Sequence, residues 1–342
     1  MPVQFGLCCQ TITLRYGKEE ITGSRSITLK TIEKKGLGEA IERAKMNIRD
    51  LGVMMKWMRE RGIKVFRLPS DMIPHGSNLV LIEKYGEEGK NYLKLLPFQE
   101  DLKKLGEIGR ETGLRLTFHP GQYNQLGSQD KDVIKRTAVE LLMHCRILDI
   151  MGVNENGVVV LHGGGTYGDI KETSKRIIER IKWLPENISR RLVLENDEKC
   201  YSPDDLLPIC QASGCPLVFD IHHYDCYEKN HPGVQRSIED MFPDIVETWK
   251  KRGIKIKFHI SEQDLEKRLG AHSFFVETIP DCLWKLAETE DYDLMIEAKG
   301  KELSIGRLYQ KYPDLLDDGC KSIQMEIPKK GMKDFGKYSP LL

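Results

Sequence analysis

The sequence predicts a single-domain α/β fold, a (β/α)8 TIM barrel, and three observations carry that expectation. Eight short β-rich runs alternate along the 342 residues with longer segments whose apolar residues recur at helical spacing. The runs are continuously apolar, as strands are when helices cover both faces of a parallel sheet. The signatures of an open, doubly wound sheet are missing, because no GxGxxG follows the first run and no GxxxxGK[ST] occurs anywhere. The length covers the roughly 250 residues typical of such a barrel, with room for decorations.

Taken in order, VQFGLC (3–8) is the first strand, and residues 10–38 are an insertion before the helix pattern AIERAKMNIRDLGVMMKWMRERG, which closes on glycine. VFRLPS (65–70) and LRLTFHP (114–120) follow. Pro120-Gly121 is turn chemistry, so His119 is expected at the last position of the third strand, with Gln122 and Tyr123 beyond the sheet. The helix pattern VIKRTAVELLMHCRILDIMG, again closed by glycine, leads to VVVLHGG (158–164). The remaining strands are RLVLEND (191–197), PLVFDIHH (216–223), KIKFHIS (255–261) and LMIEAK (294–299). With no repeat and no interdomain linker, residues 1–320 are expected to form the barrel and 321–342 a tail.

Composition narrows the function. Hydrophobic residues make up 40% of the chain, yet no apolar segment approaches the ~20 residues that span a bilayer. The start, MPVQFGLCCQ, lacks the regions of a signal peptide, so an intracellular, cytoplasmic protein with no membrane partner is expected. Nine cysteines without a CxxC pair read as reduced thiols. A net charge of zero gives no overall basic excess for nucleic acid. Residues 1–70 nevertheless carry 14 Lys and Arg against 7 Asp and Glu, which permits a basic face.

A barrel of this kind builds its active site at the carboxyl ends of its strands. Those ends read His119, His162, Glu195, Asp220 with His223, His259 and Glu297, with His272 just after the seventh strand. One histidine at a strand end is ordinarily a hydrogen-bonded structural residue. Here five of the nine histidines sort to this position, beside three carboxylates that interrupt apolar runs. Imidazole and carboxylate together ligate divalent transition metals, and eight such groups exceed what one four- to six-coordinate ion uses. Two or three ions are therefore expected, with Glu195, central in strand order, as the bridge. Lys257 shares a strand face with His259 and points its amine toward the same place. Asp220 and His223 can both be ligands only if the strand ends between them, because residues three apart in a strand face opposite ways.

FHPGQY, LHGGG, LEND, FDIHH, KFHIS, AHS and IEAKGKE, in this order and spacing and preceded by FRLPSDMIPHGS, resemble the UV damage endonucleases, whose barrel is related to that of endonuclease IV. The resemblance implies a DNA repair enzyme that nicks the phosphodiester bond immediately 5′ to cyclobutane pyrimidine dimers and 6-4 photoproducts, leaving a 3′-hydroxyl and a 5′-phosphate. It implies that His119, His162, Glu195, Asp220, His223, His259, His272 and Glu297 hold two or three divalent ions, Mn2+ first, with Zn2+, Mg2+ or Co2+ as alternatives. Glu195, Lys257 and His259 become the catalytic group, with Lys257 a candidate for carboxylation. Gln122 and Tyr123 match the pair that probes the damaged dinucleotide once it leaves the stack. Two positions depart from the family pattern: Leu7 follows the first-strand Gly6 where a tyrosine is usual, and Phe274-Phe275 stands near a usual Asp-Tyr.

The expected chemistry is attack on phosphorus by metal-activated water. Arg67 and Lys299 are candidate phosphate contacts that could instead close ion pairs. The partner is double-stranded DNA carrying UV lesions, with no obligatory protein partner evident. LHGGG also resembles a lipase oxyanion hole, but no GxSxG is present and that function is excluded. Two rivals stand beside the nuclease: a metal-dependent sugar isomerase or epimerase on the same barrel, and a non-catalytic damage sensor.

Overall fold

In the computed structural model, which describes residues 2–341, all eight runs form strands of one parallel barrel. They are β1 (Val3–Cys8), β2 (Val65–Arg67), β3 (Arg115–Thr117), β4 (Val159–His162), β5 (Leu192–Glu195), β6 (Leu217–Asp220), β7 (Ile256–Ile260) and β8 (Tyr292–Ile296). Hydrogen-bonded neighbours run β3-β2-β1-β8-β7-β6-β5-β4. The ring closes at Phe118, which bridges Val159 and exchanges backbone hydrogen bonds of 2.9 Å with Val158 and Val160.

Alternation along each strand sends one set of side chains outward and the other inward. Phe5 and Leu7 belong to the large core between sheet and helices, whereas Cys8, Val65 and Met295 form a separate small cluster on the inner side. Leu7, where the family pattern usually has tyrosine, is therefore packed in the outer layer. The two glycine-closed helix patterns appear as Gly38–Arg59 and Lys131–Ile150. The backbone turns left-handed soon after each, at Gly62 (φ 73°) and Gly152 (φ 68°), where a side chain would be strained.

Three expected boundaries are corrected. His119 lies two residues past β3, because only Arg115–Thr117 pair with β2. Glu297 directly follows β8. The run PLVFDIHH ends as a strand at Asp220, and a helix, Ile221–Asn230, begins at once. Asp220 caps that helix by accepting the His223 backbone N–H (2.8 Å), the role for which aspartate is suited at an N-cap.

Within the 10–38 insertion lie two short helices, Ile12–Arg15 and Leu29–Lys35. Glu302 holds the first by accepting the backbone N–H groups of Ile12 (2.8 Å) and Thr13 (2.6 Å). Beyond residue 320 the chain packs back on the barrel through buried Ile323 and Ile327, and Asp334 accepts the Tyr16 hydroxyl of the insertion (2.7 Å). All nine cysteines are free thiols, six of them buried. Among the described residues, no helix is long and apolar enough to cross a membrane.

Candidate metal centre

The carboxyl ends of the strands converge on Glu195, which is buried at the end of β5. Its Oε2 meets His119 Nε2 at 2.6 Å, its Oε1 meets His259 Nδ1 at 2.5 Å, and His162 Nδ1 stands 3.7 Å from Oε2. Three strands thus aim imidazoles at one carboxylate. Burial pushes the Glu195 carboxyl up, but His259, His119 and His162 outweigh it and hold the group well below the usual carboxylate range. Burial drives His119 the other way from an ordinary imidazole, down to about 4, so its ring is neutral at physiological pH.

The capping geometry at the end of β6 resolves the Asp220–His223 difficulty. Residues three apart face opposite ways in a strand but share a face in a helix, and the strand ends at Asp220. His223 Nδ1 contacts the Asn196 carbonyl at 2.9 Å and lies 4.0 Å from Asp220 Oδ1. Although burial disfavours its charge, the carboxylates of Asp220, Glu195 and Glu198 raise the His223 imidazole to about 9.

Three sets of donor atoms lie close enough to share an ion: His119, Glu195 and His259; Glu195, Asp220 and His223; Asp220, His259 and Glu297. In each set the donors lie within 4.8 Å of one another, and Glu195, Asp220 and His259 each belong to two sets. The donor chemistry fits divalent transition metals, combining imidazole nitrogens with carboxylate oxygens. Two orphaned atoms add to the fit. His162 Nδ1 and Asp220 Oδ2 are buried without a hydrogen-bond partner, and leaving such a group unsatisfied costs about 1 to 3 kcal/mol.

Other predicted residues occupy the surroundings. Lys257, fully buried on the predicted face of β7, places its Nζ against His259 Nε2. Burial first, and then the Arg67 guanidinium, lower the Lys257 amine to about 8. His272 stands apart from the three sets: its ring is 5.3 Å from that of His222 and 6.4 Å from that of His223. Arg67 pairs with Glu297, and Lys299 pairs with Asp264 (2.9 Å), so both candidate phosphate contacts close ion pairs. Together with His259, Arg67 holds the buried Glu297 carboxyl far below its ordinary range, against the effect of burial.

Gln122 and Tyr123 are the central residues of a turn closed by the Asn124 N–H on the Gly121 carbonyl (3.0 Å). Both are exposed, and Tyr123 is 83% accessible. Sequence reasoning passed over Asn196, which is fully buried and ties β5 to β6: its Oδ1 accepts the Asp220 N–H (2.8 Å) and its Nδ2 donates to the Asp220 carbonyl (2.9 Å). Its only signal was a polar residue directly after Glu195. Ser70, which donates to the His119 carbonyl (3.1 Å), was also passed over.

The chain is similar to known proteins along most of its length. The family described as UV-endonuclease UvdE matches residues 3–326. A protein of Acanthamoeba polyphaga mimivirus is 34% identical over 318 residues, covering 92% of each chain. The UV-damage endonuclease of Schizosaccharomyces pombe is 33% identical over 353 residues, which span 98% of this chain and 55% of that one. The crystal structure of SacUVDE superposes with a TM-score of 0.75 at 27% identity, covering 92% of this chain and 99% of that one.

Proposed function

The chain belongs to the UV-endonuclease UvdE family, and from that premise we propose that it nicks double-stranded DNA immediately 5′ to cyclobutane pyrimidine dimers and 6-4 photoproducts, leaving a 3′-hydroxyl and a 5′-phosphate. The observation that carries the reading is the buried Glu195 carboxylate surrounded by three imidazoles and shared between two donor sets. On this reading His119, His162, Glu195, Asp220, His223, His259, His272 and Glu297 hold two or three divalent ions, Mn2+ first. Such ions, when bound, supply an activated water and positive charge against the phosphate oxygens.

The chain's own residues prepare that chemistry. Glu195 orients His119 and His259 through its two oxygens and spans neighbouring donor sets. His259 Nδ1 faces Glu195 and Glu297 (2.5 and 3.1 Å) and would be its ligand atom, while its Nε2 packs against Lys257 Nζ. An amine lowered to about 8 holds a proton beside the site and releases it just above neutral pH. Arg67 fixes Glu297 through their ion pair, while Lys299, one-third exposed, is the better placed of the two to reach a phosphate. Lesion recognition falls to Gln122 and Tyr123: a dinucleotide leaving the stack opens a gap that an exposed amide and phenol can fill.

The test is conversion of supercoiled, UV-irradiated plasmid to open circles with Mn2+, followed by end analysis on a duplex with one defined dimer. Nicking should require irradiation and a divalent ion, and the 3′ end should prime a polymerase. Equal nicking of unirradiated plasmid, or none with Mn2+, Zn2+, Mg2+ or Co2+, would overturn the proposal.

A further inference from the structure

A cavity of about 490 Å³ opens at the amino end of the barrel, opposite the candidate metal centre. Four cationic side chains line it, Lys64, Arg110, Arg115 and Lys255, against one carboxylate, Asp293. Asp293 is almost completely buried and serves two of them: Arg115 Nη1 donates to its Oδ2 (2.7 Å), and Lys255 Nζ lies 2.6 Å from its Oδ1. Lys64 pairs with Asp317, which is outside the lining. Even with that carboxylate counted, two positive charges remain in excess.

A charged plug that served only stability would balance its charges and fill its volume, since burying an unpaired cation is costly. This one does neither. The Arg115 side chain is 8% exposed; its Nε is used by the Asn156 carbonyl (2.6 Å), its guanidinium lies over the Trp249 ring (5.8 Å), and its Nη2 is buried without a hydrogen-bond partner. Guanidinium presents its donors in a fixed fork suited to oxyanions, and Arg115 lines the cavity together with two further cations, Lys64 and Arg110. The volume lies within the 300 to 1,000 Å³ usual for small-molecule pockets, and at ~30 Å³ per water it far exceeds a single bridging water. The remaining walls are partly apolar, through Leu116 and Val153.

We propose that this cavity is a second ligand site, which binds a small phosphate monoester of mononucleotide size with its phosphate between Arg115, Lys64 and Arg110. The site is built from residues outside the metal centre and stands independently of the nuclease reading.

The experiment is calorimetric titration of the full chain with inorganic phosphate and with adenosine 5′-monophosphate. Saturable binding of the monophosphate at about 1 mM or tighter is expected, with inorganic phosphate weaker. The double variant Lys64→Gln/Arg110→Gln should weaken binding by about tenfold or more and leave plasmid nicking unchanged. Glu195→Gln, which alters only the opposite face, should bind as the wild type does. If the double variant fails to unfold cooperatively, Lys64→Gln alone is read by the same titration. Absence of saturation, loss of binding in Glu195→Gln, or undiminished binding in the charge variants would overturn the proposal.

Discussion

Replacing Asn196 by alanine tests whether the Asp220 position is held by one side chain. Asn196 makes two hydrogen bonds with the backbone of Asp220, at 2.8 and 2.9 Å, in a fully buried setting. Alanine leaves the Asp220 N–H without a partner, whereas the Asp220 carbonyl, at the N-cap, still accepts the first bond of the helix Ile221–Asn230. At about 1 to 3 kcal/mol for a buried unsatisfied group, the loss should be of that size. The His223 ring stays in place in this variant, because its partner is the Asn196 carbonyl rather than the amide. Asn196→Asp separates the two bonds, since a carboxylate still accepts the Asp220 N–H but cannot donate to the carbonyl. Urea unfolding should show a lower midpoint with unchanged slope, largest for alanine. Chelator competition should show metal affinity reduced by about 10- to 100-fold, as for other residues that orient ligands. An alanine variant within ~0.5 kcal/mol of wild type and with unaltered metal affinity would refute the reasoning.

Glu195→Gln should abolish incision while retaining part of the lesion binding, because the shared carboxylate is lost and the exposed turn is not; normal turnover in a nicking assay would exclude a multinuclear centre. Stability should fall as pH drops below about 6.5, because burial lowers the His144 imidazole while the unfolded chain protonates normally, so the unfolded state binds more protons. His144→Leu should flatten that slope by up to about 1.4 kcal/mol per pH unit in denaturant titrations, and an unchanged slope would show that other groups carry it. Gln122→Ala/Tyr123→Ala should keep its metal content and lose between several-fold and about a hundredfold in preference for damaged duplex, at roughly 1 to 3 kcal/mol per stacked base. Lost metal, or full discrimination, would make the turn structural.

The fold was legible because each barrel strand carries its own local marks. An apolar run bounded by turn residues is a property of five or six neighbours, and glycine at a helix end, as at Gly62 and Gly152, is a property of one. Boundaries were less legible where one residue belongs to two elements. Asp220 ends β6 and caps the next helix, and the pattern FDIHH reads equally well as a continued strand. The deciding fact is a hydrogen bond from His223 N–H to the Asp220 carboxylate.

At the site, ligand-type residues were legible because imidazoles and carboxylates interrupt apolar runs at strand ends, where topology brings them together whatever lies between. Pairings across the barrel left no such trace. Arg67 and Glu297 are 230 positions apart, and each is an ordinary charged residue at a strand end, so nothing local chooses an ion pair over a phosphate contact. Asn196 is a harder case, since it contributes no donor to the three sets and acts only on the backbone of Asp220. The same limit hid the amino-end cavity, where Arg115 begins β3 and Asp293 is the second residue of β8, strands whose opposite ends lead to His119 and Glu297. A strand in this barrel thus carries two polar ends with separate partners. Reading only the carboxyl ends, as the fold rule recommends, finds the metal ligands and passes over the charges at the other end.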